Sequence, residues 1–142
     1  MSGVAVIRHL LANNAAVLAV VPATRIMAGD LPLNTAMPAI TVTEISSVPF
    51  NTINVNELPK MHTERVQVSA LFKQSLGTPA GTGLPGIKAL LKLVLAACPS
   101  QRGTVNGVAV DSIVPDTEGP DLSNDATALC SQSRDFIVRW SA

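Results

Sequence analysis

Apolar residues recur at helical spacing from Gly3 to Val21, at Val4, Ile7, Leu10, Leu11, Val17, Leu18 and Val21, which is the pattern of one buried helix face. Asn13-Asn14 interrupts the run and predicts two short helices, with Ser2 capping the first and Pro22 stopping the second. The period then falls to two. In "AITVTEIS", Ile40, Val42 and Glu44 share one face and Thr41, Thr43 and Ile45 the other. In "TERVQVSALF", Val66, Val68, Ala70 and Phe72 alternate with Arg65, Gln67, Ser69 and Leu71, as a half-buried strand requires. The two strands predict a hairpin whose long tip runs from Val48 to Lys60.

"TRIMAG" is a short strand candidate, and "LPLNTAMP" reads as loop because of its prolines and Asn34. "LPGIKALLKLVLAACP" places Leu84, Ile87, Leu90, Leu91, Val94, Leu95 and Cys98 on one stripe with Lys88 and Lys92 opposite, the strongest helix pattern in the chain. The chain then returns to strands in "GVAVDSIVP" and "SRDFIVRWS", with Phe136, Val138 and Trp140 facing the core and the acidic loop "DTEGPDLSNDAT" between them. This order predicts an α+β fold, an antiparallel sheet of about four to five strands with two or three helices packed on one face. Residues 1–142 form one domain, long enough to bury a core without disulfides or metal.

Composition sharpens this picture. Apolar residues make up 47% of the chain and charged residues 14%, too apolar for disorder and below the roughly 25–35% charge of a well-solvated monomer surface. The deficit points to surface covered by other subunits. Lys and Arg balance Asp and Glu at 10 each, which argues against a phosphate grip and hence against sequence-specific nucleic-acid binding. No apolar run reaches the ~18 residues of a membrane span, and the N-terminus shows no signal-peptide pattern. Two cysteines, Cys98 and Cys130, are expected as reduced, packed thiols in a cytosolic setting.

"GTGLPGIK" contains the spacing G-x-G-x-x-G at Gly81, Gly83 and Gly86, which raises a nucleotide-binding alternative. That chemistry needs a tight strand-to-helix turn, free N–H groups facing the pyrophosphate and an acid ~20 residues on. Here "KQSLGTPA" separates strand from motif, Pro85 removes an N–H, and the next acid is Asp111. His9 and His62 lack partners at metal-ligand spacing. The acidic segment lacks the glycine position and bidentate glutamate of an EF-hand. No serine occupies a nucleophile elbow, and Glu44, Glu57 and Glu64 form no discernible acid–base pair. The expectation is a protein that is not an enzyme and takes no cofactor or metal.

The ordered set "RIMAGDLP", "MPAITVTEISSVP", "ERVQVSALF", "LPGIKALLKLVLAA", "GVAVDSIVPDTE" and "SRDFIVRWS" resembles the tail-completion or tail-terminator proteins of long-tailed bacteriophages over nearly the whole chain. The resemblance implies a structural virion protein of the tail and neck, assembled in the host cytoplasm. It implies a hexameric ring that caps the head-proximal end of the tail tube, ends tube polymerisation and meets the head's connector or stopper, with DNA passing through. Another neck component, an adaptor or stopper, is the nearest alternative. "LGTPAGTGLPG" is longer and richer in glycine than that pattern suggests.

For such a ring, Arg65 and Arg139 are candidate subunit contacts, since an outward Arg on a sheet can pair with a neighbour's carboxylate. Asn51, Asn54 and Glu57 in the hairpin tip, and Gly81 and Gly83 before the second long helix, are candidate docking positions. Asp116, Glu118, Asp121 and Asp125 are expected to face the DNA channel or a partner's basic patch.

Overall fold

The two opening helices form where the asparagines divide them. A computed structural model describes residues 2–32, 36–50, 53, 61–73, 83–100, 102–124 and 129–141. Helix α1 spans Ser2–Ala12 and α2 spans Ala15–Leu18. Asn14 caps α2 by accepting the N–H of Val17 at 3.1 Å. Val4, Ile7, Leu11, Val17 and Val21 are buried as the spacing predicts, Val6 joins them, and Leu18 is left exposed.

A single 3-10 turn, Ala23–Arg25, leads into strand β1 at Ile26–Ala28. The chain then forms β2 (Ala39–Pro49), β3 (Met61–Lys73), helix α3 (Gly83–Ala97), β4 (Gly103–Val105), β5 (Val108–Glu118), β6 (Leu122–Asn124) and β7 (Leu129–Ser141). The sheet order is β1-β2-β3-β7-β5-β4, with β6 pairing beside β5 along the same side of β7. β1 runs parallel to β2 and every other pairing is antiparallel.

The expected count of four to five strands is therefore too low. The four long strands β2, β3, β5 and β7 are the ones whose alternation is legible. β1 lies within the expected short strand "TRIMAG", whereas β4 and β6, with three residues each, are too short for a period-two pattern to stand out. "DTEGPDLSNDAT" is also not one loop, because Asp116–Glu118 prolong β5 and Leu122–Asn124 form β6.

Alternation decides which face is covered. Val66, Val68, Ala70 and Phe72 of β3 pair in register with Phe136, Arg134, Gln132 and Cys130 of β7. The apolar members of that face are buried with Ile40 and Val42 of β2 beneath α1 and α3. Helix α3 contributes Ile87, Leu90, Leu91 and Val94, while Lys88 and Lys92 stay exposed. Each fully buried aliphatic side chain stabilises the fold by about 1.5–3 kcal/mol. Among the described residues no helix packs on the opposite face, and none is long and apolar enough to cross a membrane.

At one side of the core, Glu64 is fully buried. Its Oε2 accepts the N–H of Gly3 at 3.0 Å and the indole N–H of Trp140 at 2.7 Å. A carboxylate at the start of α1 meets N–H groups that have no partner within the helix. Trp140 stacks on His62 with ring centroids 4.3 Å apart. The imidazole of His62 thus serves the packing of the strand ends.

Candidate assembly surface

The helix-free face of β3, β7 and β5 carries the side chains that alternate with the core. Arg65 faces outward from β3, and its Nε donates to Asp135 Oδ2 at 2.9 Å. Its Nη2 donates to Asp116 Oδ2 on β5, so one guanidinium spans β7 and ties three strands together. The hydrogen bond to Asp135 and the charge of Asp116 hold Arg65 above its already high ordinary pKa. Gln67 donates to Asp135 Oδ1 at 3.4 Å, and the hydroxyls of Ser69 and Ser133 lie 2.9 Å apart. Cross-strand register makes this band possible, because Gln67 lies opposite Asp135 and Ser69 opposite Ser133.

Two groups of expected site residues converge here. Arg65 was expected to reach a neighbour and Asp116 to sit in an acidic loop, yet they bind each other across 51 residues of sequence. Asp135 completes the pair. Arg139 is exposed near the end of β7 and keeps its place as an outward cation. Asp121 pairs with Lys88 of α3 at 3.2 Å, while Glu118 is exposed. The acidic segment is thus part-neutralised by the chain's own cations. Asn51, Asn54, Glu57, Gly81 and Asp125 lie outside the described residues.

The end of β5 is pinned to β7: Gly119 N–H donates to the Ser133 carbonyl at 2.7 Å, and Gln132 Nε2 donates to the Gly119 carbonyl at 3.0 Å. Gln132 is one of the few buried polar side chains. This clasp fixes where Asp116 stands relative to Arg65. Its distant partners have no local sequence signature, although a glutamine at a core position of β7 was a legible anomaly.

Gly83 opens α3 and Gly86 is buried in its first turn. β3 ends at Lys73, so the strand and helix are not joined by the tight turn that a dinucleotide site uses. Cys98 and Cys130 are both buried and are not joined in a disulfide, and burial pushes the Cys98 thiol up to about 12.

Apart from Leu18 and Val20 at the end of α2, the exposed large apolar side chains among the described residues collect at two parts of the sheet. Ile45, Val48, Phe50, Ile53 and Met61 lie on the β2–β3 arm and its tip. Val114 and Leu122 lie on the opposite margin, formed by β5 and β6. Exposed apolar side chains grouped in this way, on a chain with little charge, mark candidate surfaces for assembly.

Comparison with known proteins gives the family and the fold. The family model described as tail completion protein gp17 matches residues 5–129. A solved chain from the virion of a native gene transfer agent particle has the same fold, with a TM-score of 0.66 at 14% identity over 98% of this chain and 94% of that one. A second solved chain aligns with a TM-score of 0.51 at 16% identity over 97% of this chain and 95% of its own length. No curated protein sequence matches the chain.

Proposed function

Because the chain belongs to the tail completion protein gp17 family, a family of structural proteins of the bacteriophage virion tail, we propose that it forms a ring on the head-proximal end of the tail tube. The ring ends tube polymerisation and offers its free side to the connector or stopper of the head. The match across residues 5–129 carries this reading, because it runs from within α1 through α2, α3 and every strand up to the start of β7. The likeness in fold to a chain of a gene transfer agent virion supports it. So do the low charge of the chain and the apolar residues left at the two sheet margins. The role is structural and needs no catalytic group or cofactor.

In this reading a hexamer surrounds the DNA channel, and Glu118, with Asp125, presents carboxylates that repel the phosphate backbone or meet a basic partner. Arg139 is an intersubunit contact. Arg65 acts indirectly, by holding β3, β7 and β5 in one plane, since its guanidinium already binds Asp116 and Asp135.

Sedimentation and negative-stain imaging of the purified protein, alone and with tail tube protein, test the proposal. A ring that binds one end of the tubes, together with overlong tails when the protein is missing, is the expected result. A monomer at every concentration that leaves tube length unchanged overturns it. Density beside the portal in a virion reconstruction, away from the tube, would make the protein an adaptor or stopper instead.

A further inference from the structure

We infer that the subunits join edge to edge, the β2 edge of one copy adding to the β5–β6 margin of the next so that the sheet continues from subunit to subunit. This rests on the ring reading and names its contact. β1 covers β2 only at Ile40, Thr41 and Val42, and among the described residues no strand pairs with the outer edge of residues 45–49. β4 covers β5 only at Val108, Ala109 and Val110, which leaves the outer edge of residues 111–118 likewise unpaired among the described residues. Each edge presents backbone N–H and C=O groups ready to accept another strand.

Direction and side chains both fit a second copy of this chain. β2, β3, β7 and β5 reverse at each step, so β2 and β5 run in opposite directions. A rotation about an axis along the strands therefore brings β5 beside the next β2 as another antiparallel pair. The two edges lie on opposite sides of the molecule, so the contact is head to tail and closes into a ring when the rotation divides a full turn. Exposed apolar residues occur on both edges, Ile45 and Val48 on one and Val114 and Leu122 on the other. Val48 aligns with Thr63 and Val114 with Ile137, which places both valines on the helix-free face, where a continuous sheet would bring them together. Pro115 has no N–H to donate, and both strands carry a register shift. The ladder is therefore interrupted, and side-chain contacts hold part of the junction.

Cysteine cross-linking tests this on the assembled protein. Val48 and Val114 are exposed and tolerate Val48→Cys and Val114→Cys, whereas the native Cys98 and Cys130 are buried. A bismaleimide reagent should convert the double variant into a ladder of covalent oligomers, and each single variant should stay monomeric on denaturing gels. Amide exchange across residues 45–48 and 111–117 should slow at least tenfold on assembly. Rings without a ladder, in this pair and in Ser46→Cys with Ser112→Cys, overturn the edge contact and leave the ring reading standing. Dimers of the single Val48→Cys variant would show a symmetric contact and also overturn it. Cross-links only to tail tube protein would assign the edge to that partner. Absence of any oligomer would overturn the ring and the edge contact together.

Discussion

Gly3 and Glu64 stand 61 residues apart in the chain, and the Gly3 N–H donates to Glu64 Oε2 over 3.0 Å at the start of α1. The contact is close because Gly3 has no side chain: a Cβ there would lie 2.9 Å from Glu64 Cδ and 3.2 Å from its Cβ. One buried carboxylate thereby fastens the first helix to β3 and, through Trp140, to the end of β7.

Gly3→Ala should therefore destabilise the fold by about 1–3 kcal/mol, because the buried Glu64 side chain has little room to withdraw. Glu64→Ala should cost about 2–4 kcal/mol by stripping an acceptor from two donors. Glu64→Gln, which keeps one carbonyl oxygen, should cost less than Glu64→Ala. Urea unfolding followed by Trp140 fluorescence measures all three.

Breaking the Arg65 bridge should be milder. Arg65 and Asp116 are both about one-third exposed, so solvent and salt screen the pair. Arg65→Met or Asp116→Asn should lower the melting temperature by no more than a few degrees. The difference from wild type should narrow in 1 M salt. A double-mutant cycle between Arg65 and Asp135 should show coupling, because these two also share a 2.9 Å hydrogen bond. Salt-independent losses as large as those at Glu64 would contradict this account.

Cys98 should resist alkylation in the native protein at pH 8 and react once the chain is unfolded. Its folded value of about 12 lies above the ordinary 9.0, so the folded state holds its proton where the unfolded state gives it up. Stability is thus fully present below pH 9 and declines as pH rises through the interval from 9 to 12. The loss from this thiol approaches about 4 kcal/mol at the upper end, at about 1.36 kcal/mol per pKa unit. Comparing the pH dependence of urea unfolding for wild type and Cys98→Ala isolates the contribution.

The turn between β4 and β5 depends on Asn106 and Gly107, both at positive φ, 50° and 77°. Gly107→Val should cost about 1–2 kcal/mol, since a β-branched residue is poorly suited to the left-handed region. Fraying should be confined to β4 and the start of β5, visible as faster amide exchange there, while β3 and β7 stay protected.

The acids separate by their partners. Asp116 and Asp121 are engaged by Arg65 and Lys88. Neutralising those two should lower stability slightly. Glu118→Gln should leave the melting temperature within about a degree, as substitutions at exposed positions do; Asp125→Asn is combined with it for the functional test. If carboxylates facing DNA or a partner serve the tail, that second pair should impair head joining or DNA ejection in a complementation assay. Unchanged particle yield would remove the acidic segment from the functional account.

Local pattern was enough for the long elements. The helical run divided at Asn13-Asn14, the alternation through Val66 to Phe72 and the stripe on α3 each record burial within one element, so periodicity displays them directly. The Asn106-Gly107 dipeptide is also a legible hairpin signal, for the turn between β4 and β5. The short strands β4 and β6 are too brief to show a period, and their pairing is conferred by longer neighbours.

Legible in the amino-acid order alone are the class of the fold, most of its core-facing residues, the outward placement of Arg65 and Arg139, and a resemblance that the family match bears out. Which strands are neighbours, and with that which charges meet, follows from how the chain folds. Arg65, Asp116 and Asp135 come together because β7 returns between β3 and β5, and Gly3 meets Glu64 because α1 packs across the same sheet. Such contacts depend on distances across folded layers, and a one-dimensional pattern records burial without recording the partner.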